Sequence, residues 1–308
     1  MLDGYIKICY NNLQRRDFME FRVLQYFLAV AREQSISGAA ESLHLSQPTL
    51  SRQLKEMEEE LGKQLLIRGN RRVTLTEEGM ILRKRAEEII ELVKKAENEI
   101  SLSENIIAGD ITVGAGETDG VRFLIRAADS LQKEYPLVHF HIVSGDMSTV
   151  LEDLDRGLID FGLIFGDVDT SKYEHISVPY NDVWGVLMRR DSPLAEKKTI
   201  SAEDLIDKPL IVSRQAFQKK EFRDFFPCAP DKLNIAATYN LLFNGSLMVE
   251  EGMGYAICFD KIINVSGKSD LCFRPLQPKI EASMSIVWKK YQVVTKAAEK
   301  FLQKLQDK

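Results

Sequence analysis

Gln47, Ser51 and Lys55 stand four residues apart within SLHLSQPTLSRQLKEMEEELG, residues 42–62, with Thr49 and Arg52 beside them near the start. On a helix that spacing gathers the three on one side, and all five side chains can donate hydrogen bonds. Such donors contact phosphate oxygens and base edges when their helix lies in a DNA major groove, glutamine suiting adenine and arginine suiting guanine. Taken alone, the same row also fits a plain surface helix with a solvated polar face.

The elements that would position this row are legible around it. Ser46 reads as an N-cap, with Pro48 in the first turn, where a missing N–H costs little. Leu50, Leu54, Met57 and Leu61 recur at helical intervals as a buried stripe, and Glu56, Glu58, Glu59 and Glu60 are expected to turn away from DNA. Upstream, Leu24, Phe27, Leu28 and Ala31 mark an amphipathic helix from Phe21 to about Gln34. A second helix, from about Ser37 to His44 and capped by Ser35 or Ser37, carries Gly38, Ala39 and Ala40, whose small side chains allow another helix to approach. A short turn follows at Leu45.

Downstream of the helix-ending Gly62, Val73 and Leu75 alternate with Thr74 and Thr76, giving a short strand beside a Gly-Asn turn. Arg68, Arg71 and Arg72 cluster at that turn. A basic hairpin next to a helix-turn-helix can act as a wing that grips the DNA backbone. From Met19 to Gly79 acids slightly outnumber bases, so the contacts should be few and local. One long helix is expected from Thr76 to about Glu104, where Leu82, Ala86, Ile89, Val93, Ala96 and Ile100 alternate in the spacing of a coiled-coil seam. Dimerisation through it is the expected use, and packing onto its own domain is the alternative.

The stretch from Leu24 to Gly79 resembles the LysR-type transcriptional regulators: Ala-Ala, Ser-Gln-Pro, Leu-Gly, an arginine-bearing wing and Leu-Thr-x-x-Gly occur in that family's order. Departures are small: Ser37-Gly38 stand where an aromatic or Thr plus a polar residue is common, and Leu66 replaces the usual Phe. The resemblance implies a winged helix-turn-helix that binds double-stranded DNA as paired modules on an interrupted palindrome, commonly within a homotetramer. It also implies an effector domain that adjusts this binding, and RNA polymerase stands as a further partner of such a regulator. Carried over to this sequence, Ser46, Gln47, Pro48, Thr49 and Arg52 match the base-reading and phosphate-contacting segment, while Arg68 and Arg71 match the wing.

From Gly109 the pattern changes to α/β. DITVGAG, LVHFHIVSG and LIDFGLIFG read as strands, with helices at about Val121 to Lys133 and Val150 to Arg156 between them, an alternation that indicates parallel α/β architecture. VWGVLMRR, PLIVS and GYAICF repeat it. The strand SMSIVWKK and a helix from Thr295 to Gln306 are expected to return to the first half. Two lobes joined by crossed connections would enclose a cleft, an arrangement that resembles periplasmic solute-binding proteins and matches the family's effector domain. The expected fold is therefore α/β with a winged helix-turn-helix (19–76), a linker helix (77–105) and a two-lobed effector domain (106–308). Lobe I takes about 106–181 and 283–308, and lobe II about 182–282.

Gly114-Ala115-Gly116 invites a dinucleotide reading, but Asp119 stands where the fingerprint's last glycine should be. What remains is a strand-to-helix turn whose N–H groups, with the Thr118 hydroxyl, could hold a polar group of a ligand. Thr118 aligns with the family's effector contact. Asp119, Asp146, Met147, Ser148, Phe165, Gly166, Ser213 and Arg214 are expected around the same cleft, at strand carboxyl ends. Glu117, Asp119, Asp146 and Asp167 crowd the first-lobe rim, with Arg214 opposite. That asymmetry favours a zwitterionic or amine-bearing effector, although helix-capping acids give the same pattern. Phe259 stands where the family often has Pro and is expected to shape a cleft wall.

The 308 residues, 44% hydrophobic and 28% charged, suffice for two or three compact units, and the net charge of −5 argues against indiscriminate nucleic-acid coating. No long apolar run suggests a membrane span, and the polar first residues do not suggest a secretory signal, so a cytoplasmic protein is expected. Cys9, Cys228, Cys258 and Cys272 lack C-x-x-C or zinc spacing; a redox role for Cys228 is a minor alternative. His44, His139, His141 and His175 complete no metal site by sequence, and no nucleophile elbow or P-loop occurs. No cofactor beyond an unidentified small-molecule effector is expected. The rival reading is a small-molecule binding protein or enzyme whose helical head serves only oligomerisation. Arg15-Arg16 sits two codons ahead of Met19 and would be encoded by a purine-rich sequence of ribosome-binding type. Met19 is therefore expected as the start and residues 1–18 as leader, an ordinary N-terminal extension being the alternative.

Overall fold

The structure is a computed structural model that describes residues 20–69, 72–101, 106–214, 224–229, 232–291 and 294–306. The expected leader, Met19 and Arg71 lie outside these residues. The chain divides after Ser101 into two units.

In the first unit, α1 (Phe21–Glu33), α2 (Ile36–Ser42) and α3 (Gln47–Leu61) precede a hairpin of β1 (Leu66–Arg68) and β2 (Val73–Leu75), and α4 (Glu77–Ser101) follows. Ser35, not Ser37, caps α2, accepting from the Gly38 N–H, and Ser46 caps α3, accepting from the Thr49 N–H at 3.3 Å. Phe27, Val30, Ala39, Leu50, Leu54 and Met57 form the core of this unit with Leu65 and Leu66. Leu61 departs from the expected stripe and is 43% exposed. It is the last residue of α3 before Gly62 takes the left-handed conformation, and the chain leaves the helix there.

The Leu-Thr-x-x-Gly motif has a local cause. Thr76 Oγ1 donates to the Gln64 carbonyl and accepts the Gly79 N–H at 3.0 Å, while Gly79 lies so near the Leu65 carbonyl that a Cβ would overlap it. Of the expected seam on α4, Ala86 is buried and Leu82 packs against the core of the head, but Ile89 and Ile100 are exposed, as is neighbouring Leu92.

The second unit holds two sheets. The first has the order β4-β3-β5-β13-β6, from Val138–Ser144, Gly109–Ala115, Phe161–Phe165, Met284–Lys289 and Tyr173–Ser177, and is flanked by α5 (Val121–Glu134), α6 (Met147–Arg156) and α8 (Lys296–Gln306). The second has the order β11-β7-β10-β8-β9, from Leu271–Pro275, Asp182–Arg189, Tyr255–Phe259, Leu210–Ser213 and Ile235–Tyr239. It carries α7 (Leu242–Glu250), and the short β12 (Glu281–Ala282) pairs with β7.

The expectation of a parallel architecture holds only in part. β4, β3 and β5 run parallel, as do β10, β8 and β9, whereas β13 is antiparallel to β5 and β6, and β7 is antiparallel to β10 and β11. The physical reason is the double crossing between lobes: β7 leaves the first lobe and β13 returns to it, so each enters its sheet from the opposite end. The crossings form a ribbon, with Ala282 paired to Asp182, Ser285 paired to Ser177, and the Val178 N–H donating to the Met284 carbonyl at 2.9 Å.

Candidate functional sites

On the first unit, Gln47, Pro48, Thr49, Arg52 and Lys55 are exposed along α3. The Ser46 hydroxyl lies 2.7 Å from that of Thr49, so the cap and the first donor share a hydrogen bond. Ser51 is half-buried and accepts from Arg68 at 3.4 Å, which draws the end of β1 against α3. Arg68 and Arg72 flank the hairpin turn. Glu56 lies 3.7 Å from Arg52 and Glu59 lies 3.3 Å from Lys55, one helical turn along. Such exposed pairs yield readily to phosphate. Glu58 has a role the sequence did not suggest. Its Oε1 accepts the N–H groups of Leu65 at 2.7 Å and Leu66 at 2.9 Å, fastening α3 to the first strand of the hairpin.

In the second unit, a cavity of about 340 Å³ lies between the lobes at the carboxyl ends of β3, β5, β8, β9 and β10. Asp146, Met147, Phe165, Ser213 and Arg214, all expected there, line it. Thr118, Asp119, Ser148 and Gly166 do not. The Thr118 hydroxyl donates to Asp182 and lies 3.2 Å from Met284 Sδ. Asp119 pairs with Arg122 on the outside of α5. Ser148 donates at 2.8 Å to Asp146, which caps α6 through the Thr149 N–H. Gly166 serves the backbone, with φ +84° and its N–H donating to the Ser283 carbonyl at 3.0 Å.

Sequence reasoning missed much of the second-lobe wall: Trp184, Tyr239, Asn240, Leu242 and Ile262. Phe259 does shape the wall. It stacks on Phe165 with centroids 4.7 Å apart and meets Trp184 at 4.0 Å, so aromatic rings join the two lobes. Tyr239 donates its hydroxyl to the Ile257 carbonyl at 2.8 Å, and burial pushes its phenol pKa well above the usual value. Glu117 also lines the cavity and accepts the backbone N–H of Leu242, the first residue of α7. Gly114, which had suggested a dinucleotide turn, is small for packing: a Cβ there would press on Val150 and Ile159.

Burial raises the Cys258 thiol pKa far above its ordinary value, and Cys228 is half-buried against the second-lobe core. Of the strand histidines, His141 lies 3.3 Å from Asp110 at the surface. Among the described residues, no cluster of histidine, cysteine and carboxylate side chains is arranged to hold a metal ion, and no helix is long and apolar enough to cross a membrane.

Two family models match the chain: bacterial regulatory helix-turn-helix protein, lysR family, over residues 21–80, and LysR substrate binding domain over residues 105–308. Among named relatives, the uncharacterized HTH-type transcriptional regulator YvbU of Bacillus subtilis is 25% identical over 92% of this chain and 97% of its own. The HTH-type transcriptional regulator BsdA of the same organism is 33% identical over 64% of this chain and 67% of its own. The fold is shared with CbnR, solved in full length with its target DNA: the TM-score is 0.72 at 20% identity, covering 94% of this chain and 99% of that one.

Proposed function

Because the chain belongs to the LysR family of transcriptional regulators, we propose that it reads a dyad-symmetric duplex site through α3 and the hairpin, and that a small molecule in the interlobe cleft changes this binding. The carrying observation is the exposed donor row Gln47, Thr49, Arg52 and Lys55 on a helix locked to its core by Leu50, Leu54 and Met57. Arg68 and Arg72 stand at the hairpin beside it, Arg68 against Ser51. The solution of CbnR on its target DNA supports the same reading. An effector shifts DNA affinity only through a difference in its binding to two states of the protein, and a cleft closed by contacts from both lobes offers such states.

The exposed Ile89, Leu92 and Ile100 of α4 support dimerisation through this helix, and exposed Ile142, Val143, Phe243 and Leu247 on the second unit offer surface for assembly into a tetramer. RNA polymerase is the further protein partner proposed. The reading carries no catalytic step and places the protein in the cytoplasm.

The test is footprinting on the DNA upstream of the protein's own gene across a salt series, repeated with Gln47→Ala and Arg52→Ala. A protected, roughly dyad-symmetric site whose affinity falls steeply with salt, and which both variants bind more weakly and with relaxed base preference while remaining folded, is expected. Weak, sequence-independent binding that neither variant alters would overturn the reading.

A further inference from the structure

Helix α7 begins without a cap of its own. Its N-cap position is Leu241, which has no side-chain acceptor, and the neighbouring Asn240 Oδ1 takes the Leu241 N–H at 3.0 Å. The first helical N–H, that of Leu242, is satisfied from the other lobe by Glu117 Oε2. Glu117 sits on the turn between β3 and α5, and both it and Leu242 line the cavity. One carboxylate thus clasps the lobes and forms part of the wall a ligand meets.

Among the described residues, one more helix starts at the cavity, α6, and it is capped by Asp146. An uncapped helix start attracts anions through its free N–H groups and its dipole. Here both starts are already answered by carboxylates of the chain. Among the described residues, the charged side chains lining the cavity are Glu117, Asp146 and Arg214. No described side chain pairs with the Arg214 guanidinium, whose residue is exposed at the end of β8, and no described residue donates to Glu117 Oε1. Phe165 and Phe259 both line the cavity and stack on one another with centroids 4.7 Å apart, which leaves no slot between them for a flat ring.

We propose that Glu117 sets the charge of the ligand: by occupying the start of α7 it denies that position to a ligand anion, leaving the ligand's carboxylate to Arg214 and an amine to Glu117 and Asp146. The ligand class is an amine-bearing carboxylate, a zwitterion small enough for about 340 Å³. A dicarboxylate would bring its second negative charge against two carboxylates at low dielectric, where like charges repel far more than in water. The inference rests on the cleft being the effector site.

The test is a thermal-shift titration of the full chain and Glu117→Gln with the standard amino acids, succinate, glutarate and the ω-amino counterparts of those two diacids. Glutamine keeps an oxygen for the Leu242 N–H, so the lobe contact survives. Wild type is expected to be stabilised by amine-bearing carboxylates and not by the diacids. Glu117→Gln should weaken the former about tenfold or more, as for loss of a charged partner, and admit the latter. Stabilisation of wild type by the diacids, or an equal change for both classes, overturns the proposal.

If no compound stabilises wild type, acetate decides. In a Trp288→Phe, Arg214→Ala background, where Trp184 is the remaining tryptophan of the two in the chain and the guanidinium that would take a carboxylate is gone, Glu117→Ala should show a saturable acetate response in Trp184 emission that chloride does not reproduce and that the Glu117 protein lacks. Equal responses overturn the proposal. Arg214→Ala separates the levels: a ligand indifferent to both Arg214→Ala and Glu117→Gln binds outside the cleft and removes that reading. A ligand lost with Arg214→Ala but indifferent to Glu117→Gln removes only the role given to Glu117.

Discussion

The Thr118 hydroxyl donates to the buried carboxylate of Asp182, tying the turn after β3 in lobe I to the first residue of β7 in lobe II. The same hydroxyl accepts the Gly120 N–H at 2.9 Å. Thr118 therefore acts within the chain, beside the lobe crossing, and the cavity wall is left to Gly116 and Glu117 from the same turn.

Burial raises the Asp182 pKa above the ordinary aspartate value of 3.8, against the opposing hydrogen bond from Thr118, with Asp119 and Asp260 adding to the rise and Lys261 opposing it. The folded chain then binds this proton more tightly than the unfolded chain. From 3.8 up to the raised value, this group's contribution to stability falls as pH rises. Asp182→Asn should flatten that part of the profile, which melting temperatures of wild type and variant across an acidic pH series will show.

Removing Glu58 leaves the N–H groups of buried Leu65 and Leu66 without their acceptor. Glu58→Ala should cost about 1–3 kcal/mol, the usual penalty for an unsatisfied buried group. Glu58→Gln, which keeps an oxygen, should cost less. Chemical denaturation of the full chain checks both.

Gly79 and Gly62 are needed for different reasons and should respond differently. Gly79→Ala drives a Cβ into the Leu65 backbone, so α4 must shift, and a loss of about 2 kcal/mol or more is expected by analogy with overpacked sites. Gly62 has open space but φ +62°, so Gly62→Ala should cost about 1 kcal/mol. Their melting temperatures should fall in that order below wild type.

Arg52 and Lys55 are both exposed on α3, yet their chemistry separates them. Arg52→Ala should relax base preference at one position by about 1–3 kcal/mol. Lys55→Ala should weaken binding across sequences and reduce the salt slope by about 1. Competition binding on operator variants across a salt series distinguishes the two, and neither change should alter the melting temperature.

Ile89→Asp with Leu92→Asp places charge on the exposed apolar stripe of α4. Sedimentation should show a smaller assembly, with the circular dichroism of the folded chain retained.

The legible parts of this protein were those with local causes. Ser46 capping α3, Pro48 in its first turn and the short strand at Val73–Leu75 follow from neighbours within a few residues, and each lies where the sequence placed it. The cleft was harder. Thr118 looked free because Asp182, its partner, is 64 residues away. Tyr239 and Leu242 were missed because β9 and α7 have weak periodic signals: Ile235–Tyr239 shows no fully buried face, and Leu242–Glu250 is apolar nearly all round. Glu58 was expected only to turn away from DNA with its neighbours, since no pattern within α3 reveals that the following strand bends back onto it.

The paired crossing between the lobes limits what a ligand can make them do. Two separate tethers would let the lobes slide and swivel independently. A hydrogen-bonded ribbon resists shear along its length, because Val178 would have to leave the Met284 carbonyl, and it bends most easily out of its own plane. The lobes thus move like a hinged gate with one soft direction. Because β13 runs directly from the ribbon into the first sheet between β5 and β6, each swing of that gate is delivered to an interior strand of lobe I and not to an edge strand.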